Sequence, residues 1–318
     1  MVAIKYLVPK DTAKLVGTAY PPLPTKHLGL LLGRFIPQEA IRNGSNDNIL
    51  DDRGKPVDKI RSHWLKTVAD QIEADDLKSL QTAVLDRWYE QVNQRPGAKI
   101  FELRAIGRLI IGLGGKGALE TGITLHHTTG LPYIPGSALK GLCRSYTLFT
   151  LASQHKLSVV NANGVVDKEV AKRLEEFDKR LMAGEFKGKL EERYRQIFGT
   201  QEHAGLCVFH EAVPSQLAQR PFSLDVMTPH FRRYYETQGG EPPHDADSPN
   251  PISYLTVSAG TCFVFGVSLL RPDLDPKIAR RAAKWLREAL MEMGVGAKTA
   301  SGSGFFQPLQ MSGTRPEQ

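Results

Sequence analysis

The chain has 318 residues with 41% hydrophobic and 24% charged content, enough apolar material for one large domain or two ordinary ones without covalent staples. Its three cysteines (Cys143, Cys207, Cys262) lie far apart with no CxxC pair, which excludes a zinc ribbon, argues against a disulfide framework and suits a reducing cytoplasm. Net charge is +7, and no stretch approaches the ~20 apolar residues of a membrane span, so a cytoplasmic protein with no membrane role is expected.

The basic excess is concentrated. Residues 95–145 carry Arg95, Lys99, Arg104, Arg108, Lys116, Lys140 and Arg144 against only Glu102 and Glu120. The segment 161–200, by contrast, is nearly balanced, with nine basic and eight acidic residues. Such a concentration suits an anionic polymer better than a small substrate, although solubility charge is the plainer alternative.

In chain order, the first 60 residues are punctuated by "YPPLPTKHLGLLLGRFIP", "NGSNDN" and "DDRGKPVDK" and predict an irregular arm. From Lys59 to Gln91, apolar residues including Trp64, Val68, Leu77 and Trp88 recur at three- and four-residue steps. This predicts one or two amphipathic helices ending before Arg95-Pro96-Gly97. Residues 1–95 are thus expected to form an N-terminal helical arm packed on a main domain of residues 96–318.

Phe101, Leu103, Ala105, Leu109 and Ile111 alternate with Glu102, Arg104 and Arg108, predicting a strand with one apolar and one basic face. The connector "GLGGKGALETG" leads to "HHTTGLPYIPGSALKGLCRSY", where a helix is expected with Ser137 as its cap and Leu139, Leu142, Cys143, Tyr146 and Leu148 inward. A polar helical insertion follows at about 155–200, then a strand at "GLCVFHEAV". Prolines crowd 214–251, which reads as a loop or hairpin projection. Strands "ISYLTV" and "TCFVFGVSLL", a helix from Asp275 to Met293 and the glycine-rich "GVGAKTASGSGFFQPL" complete the chain.

Without its insertions, the order is strand, helix, strand, strand, helix, strand. This is an α+β, ferredoxin-like order shared with RNA-recognition (RRM-like) folds, and it hosts many functions.

Neither glycine-rich loop has the spacing of a phosphate-binding P-loop, and the first lacks the helix start of a dinucleotide fold. Glycines beside Lys116 and Lys298 still permit close approach of backbone N–H groups to phosphate, with a tight connection as the alternative. His126 and His127 are adjacent, so in extended chain they point apart and make a poor acid–base pair. No His or Cys spacing suggests a metal site. Isolated acids such as Asp225 and Glu211 suit caps, turns or ion pairs.

Taken together, "ETGITLHHTTGLPYIPGSALKGLCRS", "QIFG", "LDVMTPHFRRYY", "PISYLTVSAGTCFVFGV" and "GVGAKTASGSGFF" resemble the RAMP superfamily of CRISPR effector proteins. Within it, they are most similar to the sixth-subunit family of type III-B (Cmr) antiviral complexes. Ala138 stands where a second serine is common. The resemblance implies a non-catalytic RNA-binding subunit that holds the 3′ portion of the crRNA and caps the backbone filament, without cofactor or metal. Its implied partners are crRNA, target RNA, the backbone subunit, the first subunit and the small helical subunit. Where the backbone subunit carries a catalytic aspartate, this chain offers Glu120.

The expected RNA contacts are Arg104, Arg108, Lys116, His126, Ser137, Lys140, Arg144, Lys298, Gly302 and Gly304. Of these, Lys140, Arg144, Lys298 and the two glycines are expected to share one groove. Asp225, Met227, His230, Arg232 and Arg233 are expected to contact RNA bases or a neighbouring subunit. The alternatives are a metal-independent crRNA-processing endoribonuclease of the same superfamily, with a histidine as base, and a protein scaffold whose basicity is incidental.

Overall fold

A computed structural model of the chain describes residues 23, 25–36, 60–115, 121–160, 167–228 and 252–309. Two compact units are built from interleaved segments. One comprises Met1–Ser79, Ile110–Pro132 and Leu217–Ser258, the other Leu80–Leu109, Tyr133–Gln216 and Ala259–Gln318. The boundary expected at residue 95 therefore falls inside the second unit.

The second unit is organised by a sheet whose centre is the most apolar sequence in the chain. Strands β1 (Lys99–Ala105), β2 (Cys207–Phe209), β3 (Val213–Gln216), β6 (Cys262–Leu269) and β7 (Phe306–Pro308) form it, in the order β2-β6-β1-β7, with β3 also paired to β6. All pairings are antiparallel, and Leu103 lies opposite Phe263. Phe101 stacks on Phe265 at 5.4 Å, and Phe306 meets Phe265 edge-on at 5.4 Å. Helix α7 (Pro276–Glu292) packs on β1 and β6 and against α4 (Gly136–Gln154). It starts where Asp275 accepts the Lys277 N–H and Pro276 pre-sets the first turn.

The face of β6 bearing Val264 and Gly266 is covered by α3 (Ala74–Asn93). Trp88 and Val92 pack with Val213 and Val264, and a Cβ at Gly266 would lie 3.0 Å from the Trp88 ring. Trp88 Nε1 donates to the Glu211 carbonyl at 2.7 Å, and Tyr89 OH donates to Glu102 at 2.8 Å. Burial and then Glu102 push the Tyr89 hydroxyl up to about 12, so it remains a donor.

In the first unit, α2 (Ile60–Gln71) packs on the hairpin of β4 (Phe222–Met227) and β5 (Ile252–Val257). Within the expected irregular arm, Leu28–Gly33 forms a six-residue helix, α1, with Leu28 and Leu31 buried.

Some sequence expectations hold and others shift. The 59–91 pattern resolves into α2 and α3, separated where the Glu73 N–H is taken by the Asp76 carboxylate. The first strand stops at Ala105 rather than Ile111, and beyond it Ile106 and Arg108 bond to the final loop, at the Phe305 carbonyl and the Gly304 N–H. Helix α4 is capped at Pro135 without a side-chain bond, so Ser137 lies inside its first turn. Its buried face includes Thr147, whose hydroxyl is satisfied by the Cys143 carbonyl at 2.7 Å, while Leu142, Tyr146 and Leu148 are half-buried. The polar insertion forms α5 (Lys168–Met182) and α6 (Lys189–Phe198). The proline-rich stretch from 214 holds strands β3 and β4. Pro214 is tolerated because β3 is irregular beside Gln216.

Candidate nucleic-acid interface

The chain leaving α7 folds back on the exit of β1. Over Gly294–Gly304, five residues have positive φ: Gly294 (72°), Gly296 (95°), Lys298 (59°), Gly302 (84°) and Gly304 (77°). Gly304 donates to the Arg108 carbonyl at 2.9 Å and accepts from the Val295 N–H at 2.9 Å. A Cβ on Gly107 would lie 2.8 Å from the Gly302 carbonyl. Ile106 donates to the Phe305 carbonyl at 2.9 Å, and Arg104 pairs in register with Gln307. One sheet edge therefore gathers Arg104, Arg108, Lys298, Gly302 and Gly304. Arg104 and Arg108 are exposed there, and Lys298 is half-buried.

A second polar feature lies at the start of α4. A cleft of about 440 Å³ is lined by Gln91, Arg95, Gly136, Ser137, His210 and Glu211, with Trp88, Val92 and Phe209 beneath. A Cβ on Gly136 would lie 2.1 Å from the Phe209 carbonyl, so glycine lets the helix seat directly on β2. Its first-turn N–H groups precede the intrahelical ladder and place the positive helix end there. The His210 N–H donates to the Gly266 carbonyl at 3.0 Å, and its Nε2 lies 2.8 Å from Ser268 Oγ. Burial and then the charge of Arg95 lower the His210 pKa, which favours the neutral ring.

Lys140 and Lys298, expected in one groove, do not share it. The former sits beside β2 at one edge of the sheet, the latter against the β1 exit leading to β7 at the opposite edge. The reason is connectivity: residues 110–132 belong to the first unit, and α4 is anchored by an Ile134–Ala212 bridge instead of by β1.

Arg144 is held within the helical layer. Its guanidinium donates to Asp178 at 2.6 Å and lies 5.8 Å from the Tyr194 ring centroid, while Tyr194 OH donates to the same carboxylate at 2.9 Å. Lys140 is half-buried near Cys207. Burial raises that thiol to about 12, with the lysine charge pulling the other way.

In the first unit, His126 Nδ1 lies 3.0 Å from Thr128 Oγ1, whereas His127 is exposed. Both border a cavity of about 530 Å³ with His27, Arg34 and Thr124. Asp225 accepts from Tyr254 OH at 3.2 Å and from the Val226 N–H at 2.8 Å, a role inside the β4–β5 hairpin. Met227 pairs with Ile252 at its end. Lys116, His230, Arg232 and Arg233 lie outside the described residues. Among the described residues no group of three His, Cys, Asp or Glu is placed to hold a metal, and no helix is long and apolar enough to cross a membrane.

Arg95, Gln91 and His210 were not legible as site residues. Arg95 reads as a helix stop before Pro96-Gly97, and His210 as one polar residue in an apolar strand. The weak signal was a histidine inside "CVFHEAV".

An antiparallel sheet layered with helices, and a glycine-rich loop clamped on its first strand, define the class. Residues 102–307 match the RAMP superfamily, and the chain belongs to it. It is 34% identical over 224 residues to the CRISPR system Cmr subunit Cmr6 of Pyrococcus furiosus, covering 62% of this chain and 64% of that protein. It is 25% identical over 252 residues to the Cmr6 subunit of Saccharolobus solfataricus, covering 78% and 66%. The chain thus spans slightly less than two thirds of the length of each relative. Its fold is similar to that of a chain in the cryo-EM structure of Type III-B Cmr-beta bound to cognate target RNA, with a TM-score of 0.54 and 21% identity over 89% of this chain and 87% of that one.

Proposed function

We propose that this chain is a non-catalytic RNA-binding subunit of a type III-B CRISPR effector complex, holding the 3′ portion of the crRNA and capping the backbone filament. Its partners in this reading are crRNA, target RNA, the backbone subunit, the first subunit and the small helical subunit, in the cytoplasm. The core is read as ferredoxin-like, β1-α4-β2-β6-α7-β7, with helical and loop insertions and an N-terminal arm that contributes α3.

The observation that carries the proposal is the final loop. A loop with five positive-φ residues is clamped onto the exit of β1 and fixes Lys298 beside Arg108 and Arg104. Backbone amides and fixed cations hold phosphates without reading bases, giving salt-sensitive, sequence-tolerant binding. RNA-recognition domains instead stack bases on an open sheet face, and here α3 covers much of that face. Contact through the sheet edge is what remains.

Binding of single-stranded RNA across a salt series tests this. Arg108→Ala and Lys298→Ala should each weaken all sequences alike and reduce the salt slope by about one unit. Unchanged affinity and slope in both variants would remove the proposal.

His210 beside Arg95 favours a second reading, the crRNA-processing endoribonuclease, because a neutral histidine next to a guanidinium can serve as base and charge stabiliser. The non-catalytic reading expects no cleavage of repeat RNA. Specific cutting abolished by His210→Ala would establish the processing enzyme instead.

A further inference from the structure

The outward face of α7 carries a row of basic residues. Ile278, Ala282, Trp285, Leu286, Ala289 and Leu290 are buried. On the other side Lys277, Arg280, Lys284 and Arg287 are exposed and follow one another at steps of three and four residues. That spacing puts them in one row about 15 Å long. The helix's acids, Glu288 and Glu292, sit near its C-terminal end, with Glu288 3.7 Å from Lys284. Among the described residues, Arg280 and Arg287 have no ion-pair partner. Arg281 is turned aside over the Trp285 ring, 5.7 Å from its centroid. Met291, 38% exposed, ends the row with an apolar tip.

We propose that this row docks an acidic helical face of a protein partner, on an element separate from the RNA edge. Charge complementarity names the occupant's sign, and the shape of the row names its class. A helix is convex, and this row offers no exposed aromatic for base stacking and no glycine-loop amides, the features that hold single strands. The deep, narrow major groove of A-form RNA does not admit a helix. A facing helix with Asp or Glu once per turn meets every cation in the row, and an apolar residue at its end covers Met291. Exposed ion pairs are individually weak, so the row sets partner choice, register and association rate more than affinity.

The test compares two probes on the full chain at low salt. One is a labelled alanine-based helical peptide with glutamates at three- and four-residue steps; the other is a labelled single-stranded RNA. The variant K277E/R280E/R287E should lose peptide affinity by at least about tenfold, and K277Q/R280Q/R287Q by a smaller factor, while RNA affinity stays within about twofold in both. Circular dichroism confirms that each variant is folded. In complexes co-expressed with the other subunits, the reversal should deplete one protein neighbour. If no complex forms, the assembly role falls and the peptide measurement still reads the row. Peptide binding that is undetectable or indifferent to charge reversal overturns the proposal. RNA affinity falling in parallel with peptide affinity also overturns it, and assigns the row to nucleic acid.

Discussion

At the residue scale, charge sign alone does not identify an RNA contact. Arg144 and Lys140 lie one helical turn apart on α4, yet Arg144 is fixed by Asp178 and stacked near Tyr194, in the geometry of a helix–helix fastening. His210 shows the converse, a residue just past β2 whose protonation matters. Its pKa lies below the ordinary 6.5, first through burial and then through Arg95. The unfolded chain therefore binds a proton that the folded chain refuses. Stability is fully present above that ordinary value and falls as pH drops through it, until the lowered folded value is reached. Within that window the slope contributed by His210 is at most about 1.4 kcal/mol per pH unit. Urea midpoints near pH 7.5 and 5.5 should drop on acidification in the natural chain, and His210→Gln should reduce the drop. Equal drops in both proteins would show that His210 does not govern this window.

At the scale of single elements, the final loop separates two kinds of positive-φ residue. Gly304 combines φ of 77° with close packing: a Cβ would stand 2.0 Å from the Val295 carbonyl. Gly302 has φ of 84° with open space around it. Gly304→Ala should cost about 1–3 kcal/mol through overpacking, on top of the left-handed backbone penalty, whereas Gly302→Ala bears only the latter, about 1–2 kcal/mol. Lys298 is a non-glycine residue at φ 59°. Replacing it by glycine should leave stability unchanged or raise it by up to about 1 kcal/mol while weakening RNA binding. Chemical denaturation and RNA titration on the three variants check both halves. A destabilised Lys298→Gly protein would mean that the lysine is held for the fold.

At the scale of the whole molecule, residues 80–95 belong to the second unit. Helix α3 supplies Trp88 and Val92 to the cluster with Val213 and Val264, and its Gln81 donates to the Pro214 and Ser215 carbonyls at 3.1 and 2.7 Å. A chain beginning at Pro96 should expose this apolar face and fail to give a monodisperse, cooperatively unfolding product on gel filtration and denaturation. Trp88→Ala in the full chain should remain folded but lose about 3–5 kcal/mol. A stable, cooperative 96–318 fragment would restore the original domain boundary.

The sequence by itself determined the elements whose signals are local. Helix α7 was legible to within a residue because Asp275, Pro276 and a clean three-and-four apolar pattern are all written in consecutive residues. The positive-φ loop was legible from its glycines, and the superfamily from short motifs around them. Tertiary structure alone decided which elements meet. Alternation at 101–111 reads as one strand, but the strand ends at Ala105, where the final loop closes on Ile106 and Arg108. "ISYLTV" reads as a core strand, but its partner is β4, inside the proline-rich stretch. Lys140 and Lys298 looked like neighbours because strand and helix follow each other in sequence. The chain instead leaves for the other unit between them, and the Ile134–Ala212 bridge sets α4 down at the far edge. Local propensity acts over a few residues, whereas strand pairing is selected by the fit of distant apolar faces, which no short window of sequence contains.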